Sequence, residues 1–171
     1  EAIIAGKGSG AQQYSKEEGA VTVNLDIGGG TTNIVLFDNG ETGARGCVDI
    51  GGRQVKIDHD LTVTYISESA KKIAEAYRLH FSEGKKTTIE ELRQLCAAMA
   101  DVLEQLLGIG KPTELLYAVQ TGGSTRFAPE KPIKAVCFSG GVADCVYKSR
   151  DDLLQYGDIG VLLGEAIRNS R

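Results

Sequence analysis

A strand that runs into an acidic residue and three glycines constrains this chain more than any other feature of its sequence. From Ala20 to Ile27 apolar and polar residues alternate, and this period of two predicts a β-strand. Asp26 lies on the polar side near the end of the strand, and Gly28-Gly29-Gly30 follows. The alternation resumes from Asn33 to Asp38, and Asn39-Gly40 then favours a tight hairpin. This part of the chain is therefore predicted to form an antiparallel β-meander.

The rest of the chain combines helices with further strands. Thr88 and Glu91 form a capping box at the start of a helix that ends at Gly108. A short buried strand is predicted from Lys134 to Ser139. Other predicted elements are a strand at about 44–50, a helical stretch between Gly52 and about Ile57, a strand at 61–66, and helices at about 69–81, up to about 148, and at 158–169; residues 114–120 fit either a helix or a strand. We expect an α/β fold of the mixed α+β kind, in which helices pack on a mixed sheet.

Composition and charge exclude several classes of protein. The 171 residues are 42% hydrophobic and 25% charged, which is typical of one globular domain, and the net charge of −4 disfavours nucleic-acid binding. The sequence contains neither a membrane-spanning run nor a signal-peptide pattern, so we expect a cytoplasmic protein that binds no membrane. The four cysteines lack metal-ligand spacing and are expected to be reduced thiols. Because the chain begins with Glu1, we expect it to be part of a longer protein.

The three-glycine loop has the composition of a phosphate-binding loop. Gly28, Gly29 and Gly30 let backbone N–H groups approach a phosphate closely, because no Cβ stands in the way. The hydroxyls of Thr31 and Thr32 can add further donors. A carboxylate beside phosphates is repulsive unless a cation intervenes, so Asp26 is predicted to bind Mg²⁺ or its hydration water. The alternative is a plain hairpin turn, for which three glycines and an acidic residue are unnecessary.

A second glycine pair, Gly140-Gly141, follows the strand that ends at Ser139. Glycines at such a strand-to-helix junction let a ribose or a flat ring lie against the backbone. Together with the first loop, this pair predicts a nucleotide site with two sides. The segment Gly122–Arg126 looks similar, but Pro129 and Pro132 follow it, so a surface loop is predicted there.

Two other patterns are weaker. Gly6 to Ala11 fits the dinucleotide pattern G-x-G-x-x-A, with Asp26 near the spacing expected of its acidic residue. The helix available between Ala11 and Gly19 is short for a crossover, and a nicotinamide site would leave the three-glycine loop unexplained. Asp58-His59-Asp60 could belong to a metal cluster, although a polar turn is the better interpretation.

The sequence resembles the actin-like ATPase superfamily, which has a ribonuclease H-like fold. Within that superfamily it is most similar to the reactivating factors of ethanolamine ammonia-lyase. Asp26–Thr32 resembles the second phosphate loop of the superfamily, Val136–Ala143 its adenosine motif, and Ile3–Gln12 its first connecting helix. The similarity to the reactivating factors rests on the segments IIAGKGSGAQ, LDIGGGTTNIVLFDNG, CVDIGGRQVKID, CFSGGVADCVY and YGDIGVLLGEAI.

The resemblance implies an organisation for the chain. Residues 1–171 would form a single actin-like half-domain. It would consist of a connecting segment (1–19), a phosphate-loop β-meander (20–57), a mainly helical inserted subdomain (58–133), and the adenosine-motif strand with its helices (134–171). Lys134–Ser139 would lie beside the first strand, with an outer edge that is unpaired in this chain and available for self-association. The first phosphate loop of the superfamily, its first domain and a final strand are absent from the sequence.

The resemblance also implies a function. Such factors are ATP-dependent chaperones that release damaged cobalamin from their lyase, within or near a bacterial microcompartment. Gly28, Gly29, Gly30, Thr31 and Thr32 would hold the β- and γ-phosphates, Asp26 would act through Mg²⁺, and Gly140 and Gly141 would flank the adenosine. With one half of the site missing, we expect the isolated chain to bind ATP weakly and to be catalytically inactive. The alternatives are another actin-like ATPase, of the radical-enzyme activator or cytoskeletal type, and a nucleotide-independent interaction module.

Overall fold

The computed structural model describes residues 1–121, 127 and 129–170, and there it contains a four-stranded mixed sheet, a two-stranded sheet and seven helices. The strands are β1 (Val21–Ile27), β2 (Thr32–Asp38), β3 (Glu41–Val48), β4 (Val55–Ile57), β5 (Val63–Ile66) and β6 (Ala135–Ser139). The helices are α1 (Ala2–Gly8), α2 (Ala11–Glu18), α3 (Glu68–Ala76), α4 (Ile89–Leu106), α5 (Glu114–Val119), α6 (Ala143–Tyr147) and α7 (Gly160–Arg168). The expected mixed α/β fold class is confirmed.

The main sheet has the strand order β3-β2-β1-β6, and β4 and β5 form a separate antiparallel pair. β1 pairs with β2 in antiparallel register, from Val21 opposite Asp38 to Ile27 opposite Thr32. β6 runs parallel to β1, with Ser139 beside Asp26. The predicted position of β6 beside the first strand is therefore confirmed. Because β1 and β6 are parallel, the glycine loops that follow them leave the sheet at the same edge.

The two faces of the sheet are covered by different helices. The apolar side chains of β1 belong to the main hydrophobic core, which also contains α4 and α7. On the opposite face, Val35 and Phe37 pack with Ala11 under α1 and α2. Both of these β2 side chains are fully buried, and each burial stabilises the fold by roughly 1.5–3 kcal/mol. The same face of β1 carries the polar residues Thr22, Asn24 and Asp26.

The capping box predicted for the longest helix is present. The Thr88 hydroxyl accepts a hydrogen bond from the Glu91 N–H, and the Glu91 carboxylate accepts one from the Thr88 N–H. Eleven of the 18 residues of α4 are buried, in keeping with its apolar periodicity. No helix in the described ranges combines the length and the apolar character needed to cross a bilayer.

Three local predictions are wrong. The stretch after Gly52 is not helical, because residues 55–57 form β4 and pair with β5. The helix predicted at 69–81 ends at Ala76, since Arg78 adopts a left-handed conformation (φ 58°) that interrupts it. β6 is half-buried along its whole length rather than buried, because it is the last strand of the sheet in the described part of the chain. Residues 114–119, which fitted either class, form α5.

The division of the chain into subdomains stays a prediction. Buried side chains of β5, α3, α4 and α5 belong to the same hydrophobic cluster as those of β1 and β2. The segment 58–133 therefore shares its core with the sheet as far as the structure describes it. The four cysteines are free thiols, two of them buried, as expected.

Candidate functional site

The loop between β1 and β2 is held through its carbonyl groups. The Gly28 carbonyl accepts from the Gly52 N–H at 3.0 Å, and the Gly29 carbonyl accepts from the Arg53 N–H at 2.7 Å. The Gly30 carbonyl accepts from the Gln54 side-chain amide. The Gly28 N–H is used within the loop, whereas the N–H groups of Gly29 and Gly30 have no partner among the described residues. Successive free N–H groups of this kind suit an anion.

The segment that holds the loop is a second copy of its sequence motif. Asp-Ile-Gly-Gly occurs at 26–29 and again at 49–52, and Asp-Ile-Gly recurs at 158–160. A Cβ at Gly51 would lie 2.5 Å from the Gly29 carbonyl oxygen, and a Cβ at Gly52 would lie 3.0 Å from the Gly160 Cα. The Gly52 carbonyl also accepts from the Ile159 N–H at 3.1 Å. Three backbone segments thus pack without intervening side chains, which only glycine permits.

A cleft of about 640 Å³ opens beside these segments. Its lining includes Gly28, Gly29 and Gly141, which come from both predicted loops. Arg53 and Lys56 also line it and carry exposed positive side chains. Sequence reasoning missed these two cations, and the recurrence of Asp-Ile-Gly-Gly just before them is the signal that could have found them. The cleft has the glycine surface and the charge that a phosphate-bearing ligand requires.

Asp158 is the acidic residue that lines this cleft, and its carboxylate is used in a hydrogen bond within the fold. Its Oδ1 accepts from the Gly160 N–H at 2.8 Å at the start of α7. Burial raises the pKa of this carboxyl above its ordinary value of 3.8, and the Gly160 N–H, Arg53 and Lys56 oppose that shift. Asp158 therefore caps the start of α7 at the cleft, near enough to Arg53 and Lys56 to be influenced by their charge.

Asp26 lines a second, smaller cleft of about 430 Å³, together with Thr31 and Asn33. Gly28 borders both clefts. The Asp26 Oδ1 accepts from the Ser139 hydroxyl at 3.0 Å, while Oδ2 accepts no hydrogen bond from a described residue. The predicted phosphate-loop residues are therefore close together, but Asp26 and Gly29 border different clefts and Gly30 borders neither.

The two threonines of the loop differ in their surroundings. Thr31 is half-buried and borders the smaller cleft. Thr32 is fully buried, and its hydroxyl donates to the Ile50 carbonyl at 2.8 Å. The Thr32 hydroxyl proton is thus used to join β2 to the segment before Gly51. Its role in this structure is to hold the loop, since the side chain borders neither cleft.

The second glycine pair meets the first loop directly. Gly140 has a φ of +87°, and a Cβ there would lie 2.5 Å from the Ile27 carbonyl oxygen and 2.9 Å from the Asp26 Oδ1. Gly140 therefore permits the close approach of β6 to the end of β1. Gly141 has open space where a Cβ would be and lines the larger cleft. The predicted convergence of the two loops is observed.

The weaker patterns do not form sites. Gly6 lies within α1 and packs against Phe37, so the G-x-G-x-x-A pattern follows no strand. Asp58 accepts hydrogen bonds from the N–H groups of Asp60 and Thr62, which makes 58–62 a polar turn. Within the described ranges, no group of three His, Cys, Asp or Glu residues could hold a metal ion. The segment Gly122–Arg126 lies outside the described residues.

A sequence model of the family described as ethanolamine utilisation protein EutA matches residues 1–171. The chain therefore belongs to this family. It is 30% identical over 169 residues to the ethanolamine ammonia-lyase reactivase EutA of Salmonella typhimurium, covering 98% of this chain and 35% of that protein. The identity is also 30% over 169 residues to the reactivase EutA of Escherichia coli, covering 99% of this chain and 36% of that protein.

The chain thus spans about a third of the length of the curated relatives that it matches. Among solved structures, the ethanolamine utilization protein EutJ of Carboxydothermus hydrogenoformans is similar over 91% of this chain and 53% of that one. The identity is 16% and the TM-score is 0.29, a score too low to support an inference about this chain.

We predict that Gly51→Ala destabilises the fold, because the new Cβ would collide with the Gly29 backbone. The expected loss in the free energy of unfolding is roughly 1–3 kcal/mol, the usual range for overpacking, and urea denaturation measures it. Gly30→Ala is the matched control, since its Cβ would meet nothing within 4 Å. Equal stabilities of the two variants would show that the backbone packing at Gly51 is unimportant.

We predict that Asp158→Asn removes part of the pH dependence of stability. Burial raises the pKa of this carboxyl in the folded state. Its contribution to the free energy of unfolding is therefore fully present below the ordinary pKa of 3.8, and it is lost as the pH rises through the raised pKa. The wild type should therefore lose stability relative to the variant on going from about pH 3 to about pH 7. Denaturation of both proteins across this range measures the difference, and a difference that is independent of pH would contradict the prediction.

Proposed function

We propose that this chain supplies one side of a nucleotide site in a reactivating factor for ethanolamine ammonia-lyase. One observation carries the proposal: the carboxyl ends of the parallel strands β1 and β6 bring Gly28, Gly29 and Gly141 to one cleft. In open α/β sheets, ligands bind at the carboxyl ends of parallel strands. Family membership and the names of the curated relatives supply the identity of the client enzyme.

The phosphates of ATP fit the larger cleft. The N–H groups of Gly29 and Gly30 are without protein partners in the described part of the chain, and the fixed carbonyls keep them in place. Arg53 and Lys56 would neutralise phosphate charge. The open surface at Gly141 leaves room for the nucleoside. Gly140, which has no room for a side chain, would set the distance between the two loops.

The residues present also fit a magnesium ion. Mg²⁺ keeps several waters and is usually bound by one or two carboxylates together with substrate phosphates. Asp26 has one oxygen held by Ser139 and one free of described partners, so it would bind the ion through its hydration water. When bound, the ion would neutralise charge between the β- and γ-phosphates. The contribution of the protein is to hold the Asp26 carboxylate beside the glycine loop.

In the proposed function, ATP binding and hydrolysis drive the release of damaged cobalamin from the lyase. In this proposal, the two glycine loops would contact the phosphates from one side only. Phosphoryl transfer depends on positioning and on charge stabilisation from several directions. The 171-residue chain by itself is therefore proposed to bind nucleotide weakly and not to hydrolyse it.

The first test is a calorimetric titration of Mg·ATP into the natural full-length polypeptide. We predict that Asp26→Asn weakens binding by about tenfold or more, since a residue beside the metal commonly contributes that factor. Asp49→Asn is the matched control, because Asp49 begins the second Asp-Ile-Gly-Gly segment and borders neither cleft. Its binding should equal that of the wild type.

The same variants then enter a reactivation assay with cobalamin-inactivated lyase, Mg·ATP and fresh adenosylcobalamin. We expect recovery with the wild type and with Asp49→Asn, and loss of recovery with Asp26→Asn. Recovery that does not depend on nucleotide, with no binding by the wild type, would identify a nucleotide-independent interaction module. Binding without any effect on the lyase would point to another actin-like ATPase function.

We also propose that a second copy of the chain pairs with the outer edge of β6. This strand is the last in the sheet among the described residues, and all five of its residues are half-buried. The Tyr147 hydroxyl accepts from the Phe138 N–H at 2.9 Å and covers one position of the edge. An otherwise unpaired strand edge is a template for another strand.

The prediction for this edge is a concentration-dependent dimer of the 171-residue chain. Val136→Pro removes a backbone donor in the middle of β6 and should reduce dimerisation, as measured by light scattering after size-exclusion chromatography. Thr64→Pro in β5, outside the main sheet, is the control and should leave the dimer intact. A strict monomer at all concentrations would contradict the proposal.

A further inference from the structure

The buried polar face of β1 carries a chain of hydrogen bonds that ends on Asp26. The Asn24 side-chain amide donates to the Ser139 hydroxyl at 2.9 Å, and this hydroxyl donates to the Asp26 Oδ1 at 3.0 Å. Both distances and both partner types are those of good hydrogen bonds. We infer that Asn24 and Ser139 are positioning residues that set the orientation of the Asp26 carboxylate for a nucleotide-bound divalent cation. This inference rests on the proposed function.

Which group donates in each of these hydrogen bonds follows from which atoms carry protons. A serine hydroxyl has one proton to donate and can accept as well. Because the amide of Asn24 already donates to this oxygen, the hydroxyl proton is directed to Asp26. One carboxylate oxygen is thereby held, and the other is left without a described partner beside Gly28 and Thr31. A carboxylate held in this way presents a single oxygen in a defined direction.

The backbone register makes this arrangement possible. Ser139 lies beside Asp26 in the parallel pairing of β6 with β1, so the two side chains point to the same face of the sheet. The next residue, Gly140, is the one whose Cβ would lie 2.9 Å from the Asp26 Oδ1. The end of β6 therefore both contacts the carboxylate and leaves space for it.

The cost of Asn24 to the fold supports a role beyond packing. Its side chain is fully buried, and its Oδ1 has no hydrogen-bond partner among the described residues. A buried polar atom without a partner destabilises a protein, and an apolar residue of similar shape would avoid the loss. The amide donor to Ser139 is the one described interaction that an apolar residue at this position could not provide.

Thr22 provides a matched control from the same strand. It lies two residues before Asn24 on the same face, is fully buried, and has a hydroxyl oxygen without a partner in the part of the chain that the structure describes. It takes no part in the hydrogen bonds that reach Asp26. Replacement of Thr22 therefore shows how removal of a buried, unsatisfied polar group changes stability and nucleotide binding when the hydrogen bonds to Asp26 are left intact.

The test measures how much Mg²⁺ improves nucleotide affinity in the natural full-length polypeptide. Dissociation constants for ATP are determined with Mg²⁺ and with a chelator. The value with the chelator divided by the value with Mg²⁺ is the metal advantage. Ser139→Ala is expected to lower this ratio about tenfold, as loss of an outer partner of a metal ligand commonly does, without changing the chelator value. Ser139→Thr keeps the hydroxyl and should restore the ratio.

Asn24→Leu should lower the ratio in the same direction while leaving the unfolding temperature unchanged or raised. Thr22→Val should have the same effect on the unfolding temperature and none on the ratio. A purely structural role would instead change the affinities with and without metal together. The titration of Mn²⁺ into the nucleotide complex, followed by electron paramagnetic resonance, measures the cation affinity directly and should weaken in Ser139→Ala.

The outcomes separate this inference from the proposed function. If the wild type binds no nucleotide, the proposed function is wrong and the inference fails with it. If the wild type binds Mg·ATP and Asp26→Asn loses the metal advantage while Ser139→Ala retains it, only the positioning role is overturned. The same holds if Ser139→Ala weakens binding equally with Mg²⁺ and with the chelator.

Discussion

The direct packing of backbone on backbone among three Asp-Ile-Gly segments is the contact on which the rest of the structure depends. Gly51 lies against the carbonyl of Gly29, and Gly52 lies against Gly160, so no side chain separates the β1 loop, the segment before β4 and the start of α7. Hydrogen bonds between Gly52 and its neighbours on both sides join the three segments. The loop after β1 is thereby fixed through its carbonyls, and the N–H groups of Gly29 and Gly30 are left without partners among the described residues. A phosphate site built in this way is preorganised, because its geometry exists before the ligand arrives.

The second feature that shapes the site is a polar strand face beneath α1 and α2. Three polar residues of β1 lie there, although this face of the sheet is otherwise closed by apolar packing around Phe37. Two of their buried atoms, Thr22 Oγ1 and Asn24 Oδ1, have no partner among the described residues, and each such atom costs roughly 1–3 kcal/mol. The Asn24 amide reaches Asp26 through the Ser139 hydroxyl, and Asp26 lines the smaller cleft, which shares Gly28 with the larger one. The unsatisfied polar atoms of β1 lower the stability of the fold, and the candidate site lies at the end of the same strand.

Much of the fold could be predicted because local physical rules agreed with the tertiary structure. The alternation in β1 and the capping box at Thr88 each depend on neighbours within a few residues, and both are present. The stretch 55–57 alternates apolar and polar residues, but three residues are too few to distinguish a strand from a helical turn, and pairing with β5 makes it a strand. β6 was expected to be buried because it is apolar, but an apolar composition does not reveal that a strand lies at the sheet edge. Within the site, Thr32 illustrates the same limit, since its hydroxyl is used by Ile50, a residue distant in sequence.

By itself, the sequence determined the strand that carries Asp26 near its end, the glycine loops after β1 and β6, helix α4 and the family to which the chain belongs. These features are encoded locally, in side-chain periodicity and in residues that permit unusual backbone geometry. Only the tertiary structure decided that Arg53 and Lys56 share a cleft with both loops, that Asp26 faces a neighbouring cleft, and that Ser139 directs its hydroxyl proton to that carboxylate. The physical reason is that these contacts join residues separated by up to 113 positions, and they form only when β6 aligns in parallel with β1.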